Sequence, residues 1–180
     1  MIYGEIFLNL EPISKRTEEI SKLLFDTYKS QIKFSSDTSF TVSFSKNATI
    51  NMSINDLKHF DNFKLPFGSM IFEPTLMLSI VGEKKIDLNS LDRIRTKFVA
   101  NYYDKKYNLK YPNVLFDFQK KLIELGYFQA YNYWLLSSGD PDSFNLWIEN
   151  NEETWGKFVG WFNSARLPIS QDNKFSRDQY

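Results

Sequence analysis

All four tryptophans of this chain, Trp134, Trp147, Trp155 and Trp161, fall between Asn113 and Phe162, where apolar residues recur at helical spacing. Side chains this large are stable only when buried, so the stretch predicts a helical unit that supplies the main core. Its clearest punctuation is Ser138-Gly139-Asp140-Pro141-Asp142. Gly139 is expected to end one helix in the left-handed conformation. Asp140 is expected to cap the next, with Pro141 at its first position and Asp142 facing the positive end of its dipole. Phe144, Trp147 and Ile148 then share one face. Asn151 is read as the cap of a further helix carrying Trp155, Phe158, Val159 and Phe162. Upstream, Phe118, Leu122, Leu125 and Gln129 share a face, while Phe128, Tyr131, Trp134 and Leu135 mark another. Gly126 either interrupts that long helix or admits a close neighbour. No second copy of the unit recurs at a period of about 34 residues, so the chain is not read as a helical repeat.

The remainder predicts an α+β fold, with an N-terminal antiparallel sheet and a packed helix preceding the aromatic-rich helical region. Ile2–Leu10 is read as a strand, because Ile6, Leu8 and Leu10 alternate with more polar neighbours. A helix is expected over Ile13–Lys29, started near Ser14 or Thr17, with Ile20, Leu23, Leu24 and Tyr28 along one face. Thr38–Ser45 and Ala48–Ile54 both alternate and are read as a hairpin turning at Lys46-Asn47. Asn55–Phe60 suggests a short helical turn. Thr75–Val81 is either a buried strand or a short buried helix; its bracketing by Pro74 and Gly82 favours the strand. A helix capped by Asn89 or Ser90 should present Leu91, Ile94, Phe98 and Tyr102 on one face and run to Tyr103. Tyr102–Pro112 is a polar connection. The tail after Phe162 is either loose or an arm anchored by Leu167, Ile169 and Phe175. A length of 180 residues fits one domain over 1–180, with a sheet-bearing part over 1–88, a helical part over 89–163 and a polar tail over 164–180.

Composition narrows the function. With 42% hydrophobic and 17% aromatic residues, disorder is not expected. Lys and Arg number 22, as do Asp and Glu, and this balance argues against a nucleic-acid partner. The absence of cysteine excludes disulfide scaffolds and thiol chemistry. MIYGEIFLNLEP does not resemble a secretory signal. The apolar run Leu65–Val81 is broken by Pro66, Gly68, Glu73 and Pro74, so no membrane association is expected and a cytoplasmic location is. A Lys-, Asn-, Ile- and Phe-rich composition suggests an AT-rich bacterial genome.

No catalytic constellation is read. His59 is the lone histidine, and neither Gly-x-Ser-x-Gly nor a glycine-rich phosphate loop is present, so no metal or cofactor is expected. Charge is nonetheless segregated. Residues 92–121 carry eight bases against three acids, whereas Asp140, Asp142, Glu149, Glu152 and Glu153 form a run without a base. The two either neighbour and compensate each other, or the acids form a docking face for a basic protein. The interleaved Tyr102, Tyr103, Lys105, Lys106, Tyr107, Lys110 and Tyr111 either turn their rings into the core or stack on bases. The leading expectation is therefore a non-catalytic protein-interaction module, for example an immunity-type inhibitor of a toxin, binding through the five acids. The alternatives are a small-molecule pocket between sheet and helices lined by Tyr131, Tyr133 and Trp134, and a structural subunit of a larger assembly.

Overall fold

A computed structural model describes residues 1–36, 39–42 and 66–174. The order is α1 (Ile2–Leu10), α2 (Lys15–Gln31), β1 (Ile32–Ser36), β2 (Ser39–Val42), a π-helical turn (Gly68–Phe72), α3 (Glu73–Ile80), α4 (Leu88–Asp104), α5 (Tyr107–Lys110), α6 (Val114–Glu124), α7 (Phe128–Leu136), a 3₁₀ turn (Ser137–Gly139), α8 (Pro141–Asn150) and α9 (Glu152–Ser164). The described part is mainly helical, with one small antiparallel sheet. The α+β expectation thus holds only loosely.

Two predicted strands are helices, for one shared reason. In α1 the buried residues are Glu5, Ile6, Leu8 and Asn9, at i, i+1, i+3, i+4, and two of the four are polar. Hydropathy hides that stripe and leaves the accidental alternation of Ile6, Leu8 and Leu10; Leu10 is in fact exposed. In α3 the buried residues are Thr75, Leu76, Ser79 and Ile80, while Met77 and Leu78 face outward. Ser79 donates its hydroxyl proton to the Thr75 carbonyl, 2.8 Å away, so a polar side chain sits satisfied inside the core. Pro74 lies in the first turn of α3, where its missing N–H costs nothing, rather than before a strand.

β1 is a strand the sequence does not suggest; it pairs with β2 in the register Ile32↔Val42, Lys33↔Thr41 and Phe34↔Phe40. The expected partner of the second segment is Ala48–Ile54. That strand, the Lys46-Asn47 turn, the Asn55–Phe60 turn and His59 lie outside the described residues, as does Phe175.

Other elements follow the sequence closely. Ser14 caps α2, accepting from the Thr17 amide at 3.2 Å, and the buried face is Ser21, Leu24, Phe25 and Tyr28, with Leu23 outside. α4 buries Leu91, Ile94, Phe98 and Tyr102 as expected, but its cap is Asp87, which forms a reciprocal capping box with Ser90. Asp140 caps α8 with Pro141 at its start. Asn151 precedes α9, but its side chain instead donates to the Trp147 carbonyl at 2.8 Å. Tyr102 and Tyr111 are buried, and the Tyr102 hydroxyl donates to the Tyr111 carbonyl, so these two rings belong to the core. One hydrophobic cluster runs from Ile6 to Leu167, and Ile169 packs against it.

Two glycines have opposite roles. Gly126 separates α6 from α7 at φ +74°; its N–H reaches the Ile123 carbonyl at 3.0 Å and the Tyr127 N–H the Leu122 carbonyl at 2.8 Å, a Schellman ending. Gly139 is not left-handed. It is required because a Cβ there would lie 2.3 Å from Cβ and Cγ of Phe25, which is how closely the 3₁₀ turn approaches α2. The Ser138 N–H binds the Ser21 hydroxyl at that same junction. Gly126→Ala, with open space around the new methyl, should cost only the left-handed backbone term of about 1–2 kcal/mol. Gly139→Ala should cost about 3 kcal/mol by overpacking, and Phe25→Leu in the same chain should not recover it, because leucine keeps the Cβ and Cγ that the new methyl meets. Chemical denaturation of the four proteins checks the contrast.

Candidate functional site

Among the described residues, a concentrated set of ionisable and polar side chains lies inside the molecule. Glu5 of α1 and Arg95 of α4 form a two-pronged ion pair, with Nη2 to Oε1 at 2.6 Å and Nη1 to Oε2 at 2.9 Å. Their side chains are only 5% and 6% exposed, so each charge depends on the other for stabilisation that water would otherwise supply. Arg95 also donates from Nη1 to the Tyr28 hydroxyl at 3.1 Å and from Nε to Asn132 Oδ1 at 2.7 Å. Four of the five guanidinium N–H groups thereby have partners. Glu5 Oε1 accepts two more bonds, from Gln119 Nε2 at 2.7 Å and from the Tyr131 hydroxyl at 2.9 Å. Asn9 donates to the Tyr131 hydroxyl at 2.7 Å. On the other side Asn132 donates to Asp92 at 2.7 Å, Gln129 donates to Asp92 at 3.3 Å, and the Trp147 indole N–H reaches Gln129 at 3.3 Å. A single polar chain thus joins α1, α2, α4, α6, α7 and α8.

The electrostatics fit a closed hub. Burial opposes the charge on Arg95, but the Glu5 carboxylate overrides it and holds the guanidinium protonated above the usual arginine range. Burial and then the Glu5 charge push the Tyr131 hydroxyl well above the usual tyrosine value, so it stays a neutral donor. Burial raises the Asp92 carboxyl, against the pull of its Asn132 and Gln129 donors. The cavity beside the pair, lined by Met1, Glu5, Tyr28, Arg95 and Gln119 among others, is about 20 Å³, room for roughly one water. A general base needs a lone pair aimed at a substrate. Here the four contacts on Glu5 are all protein donors, so the hub serves to fix the helices.

Of the sequence-predicted acids, Asp140 is half-buried and the other four are exposed, in different employment. Asp140 accepts from the Ser143 N–H at 3.2 Å and the Ser143 hydroxyl at 2.8 Å. Glu153 pairs with Lys157 at 2.6 Å. Asp142, Glu149 and Glu152 are exposed and make no ion pair among the described residues. Five of the eight bases of 92–121 have other partners. Arg93 and Lys97 pair with Glu83 at 2.6 and 3.5 Å, Arg95 pairs with Glu5, and Lys120 and Lys121 lie over the rings of Tyr103 and Trp161. On α8, Asp142, Asn145, Leu146 and Glu149 stand at i, i+3, i+4, i+7, all exposed, with Leu146 at 61%. The sequence carries that outer stripe, but attention to the inward Phe144, Trp147 and Ile148 obscures the leucine.

The structure places Tyr131, Tyr133 and Trp134 in different surroundings. Tyr131 is in the hub, and Tyr133 stacks on Trp147 with ring centres 4.8 Å apart. Trp134, half-buried, walls a cleft of about 290 Å³ between the α1–α2 junction and the end of α7. Tyr131 and Trp134, three positions apart, share a face with ring centres 5.7 Å apart, while Tyr133 lies on another side of the helix. Among the described residues, no group of three or more His, Asp or Glu side chains is placed to hold a metal ion, and no helix is long and apolar enough to cross a membrane. Comparison with protein-family models, with curated proteins and with solved structures found no match.

Proposed function

We propose that this chain is a protein-interaction module whose work is binding a basic protein partner through the outer face of α8 and the start of α9. The supporting observation is the uncompensated stripe of Asp142, Leu146, Glu149 and neighbouring Glu152. An exposed leucine ringed by unpaired carboxylates offers an apolar anchor inside a polar rim, the arrangement that concentrates binding energy at a centre and speed of encounter at the edge. The closed Glu5–Arg95 hub adds to this reading, since those two buried charges face one another rather than a ligand. An immunity-type inhibitor of a basic toxin is one concrete form of such a module. The test is affinity capture with tagged wild type, Leu146→Asp and the D142K/E149K/E152K triple variant at two salt concentrations. A stoichiometric basic protein that is retained by wild type, weakens with salt and is lost with both variants supports the proposal. Equal capture by all three would remove it.

A further inference from the structure

A second surface deepens that reading, on which it rests. The 290 Å³ cleft is lined by Leu8, Ile13, Glu18, Trp134, Ser137 and Ser138 among others. A broader depression of about 580 Å³ shares Glu18, Ser137 and Ser138 with it and continues past Glu19 to Pro141 and Phe144. The two therefore form one groove, running along α2 and ending at the foot of α8, one residue from Asp142. Its walls are held firmly: the Ser138 N–H is bonded to Ser21, and Gly139 lies against Phe25. A groove fixed in this way needs no ordering when it is filled.

The unspent chemistry within it is specific. Glu18 and Glu19 make no ion pair among the described residues, and Lys22, on the same wall, is held by Asp26 at 2.8 Å. The hydroxyls of Ser137 and Ser138 and the indole N–H of Trp134 have no hydrogen-bond partner among the described residues. By contrast Ser14 and Thr17, which also line the cleft, donate their hydroxyl protons to Glu11. A carboxylate beside an aromatic wall is the setting in which a guanidinium is held by charge, by its planar fork and by the ring together. A second carboxylate one residue on extends the negative potential along the groove. We infer that the groove receives an extended basic segment of the same protein partner, with an arginine side chain in the Trp134 cleft against Glu18. The acidic stripe of α8 then meets the residues that follow in that segment.

The test uses the full chain, labelled with ¹⁵N, and a short capped peptide with one central arginine; a peptide with neutral citrulline in its place is the control. The expected result is a saturable shift of the Trp134 indole resonance and of the Ser137 and Ser138 amides. The citrulline peptide, and the arginine peptide on E18Q/E19Q, should bind at least tenfold more weakly, while D142K/E149K/E152K keeps the Trp134 shift. Both glutamates are exposed on α2, so their replacement leaves the fold intact. No saturable shift at these positions, equal binding of the citrulline peptide, or insensitivity to E18Q/E19Q would overturn the inference. Partner capture that is lost in the α8 variants but unchanged in E18Q/E19Q would leave the proposed function standing and sink the groove alone.

Discussion

Replacing Arg95 with methionine lowers the unfolding free energy by about 3–5 kcal/mol, the range found when one member of a buried ion pair is removed. Methionine fills similar volume, so the loss reports charge rather than a cavity. What remains is Glu5, 4% exposed, with its carboxylate facing Gln119 and Tyr131 but no cation. Tyr28 and Asn132 also lose their donor. Glu5→Leu alone leaves the complementary problem, a guanidinium without its anion. The double variant should be less destabilised than the sum of the two by more than about 1 kcal/mol, because neither lone charge remains. Denaturant titration of the four proteins checks this. Simple additivity would mean that Glu5 and Arg95 do not act as a pair.

Trp147→Ala should cost a comparable amount, about 3–5 kcal/mol. The ring is 8% exposed, stacks on Tyr133 with centres 4.8 Å apart, meets Trp155 edge-on at 6.4 Å and ties its N–H to Gln129. Its removal opens a cavity among three elements and leaves the Gln129 oxygen without its donor. Trp134→Ala should cost about half as much, since that ring is half-buried and already faces the cleft. Calorimetric melting of both variants decides; equal losses would contradict the difference in burial.

The parts of the fold that the sequence made legible are those where an apolar stripe at helical spacing and a capping residue coincide. α4, with Leu91, Ile94, Phe98 and Tyr102, and α8, with its Asp140-Pro141 start, are read correctly because hydropathy and capping agree. α1 and α3 fail because Glu5, Asn9, Thr75 and Ser79 occupy inward positions, and a period-based reading treats a polar residue as an outward one. The hub was invisible for the same reason. Its members lie as much as 126 residues apart, and nothing in the sequence of Glu5 announces Tyr131. Arg95 looked like one more base in a basic segment, although it sits beside Ile94 on the stripe that faces the core. Gly139 was recognised as necessary but for the wrong reason, since the neighbour that demands it, Phe25, is distant in the chain. The acid run of 140–153 was legible as charge. Its lack of compensation was not, because that depended on where Arg93, Arg95 and Lys97 found their partners.

The central claim is that this chain acts by holding a basic protein against the outer face of α8. The most direct measurement is the comparison of partner capture by wild type and by D142K/E149K/E152K at matched salt, with melting temperatures showing that both are folded. The account predicts a stoichiometric basic partner on wild type and its loss, by at least tenfold, on the variant. Undiminished capture by the folded triple variant would contradict it.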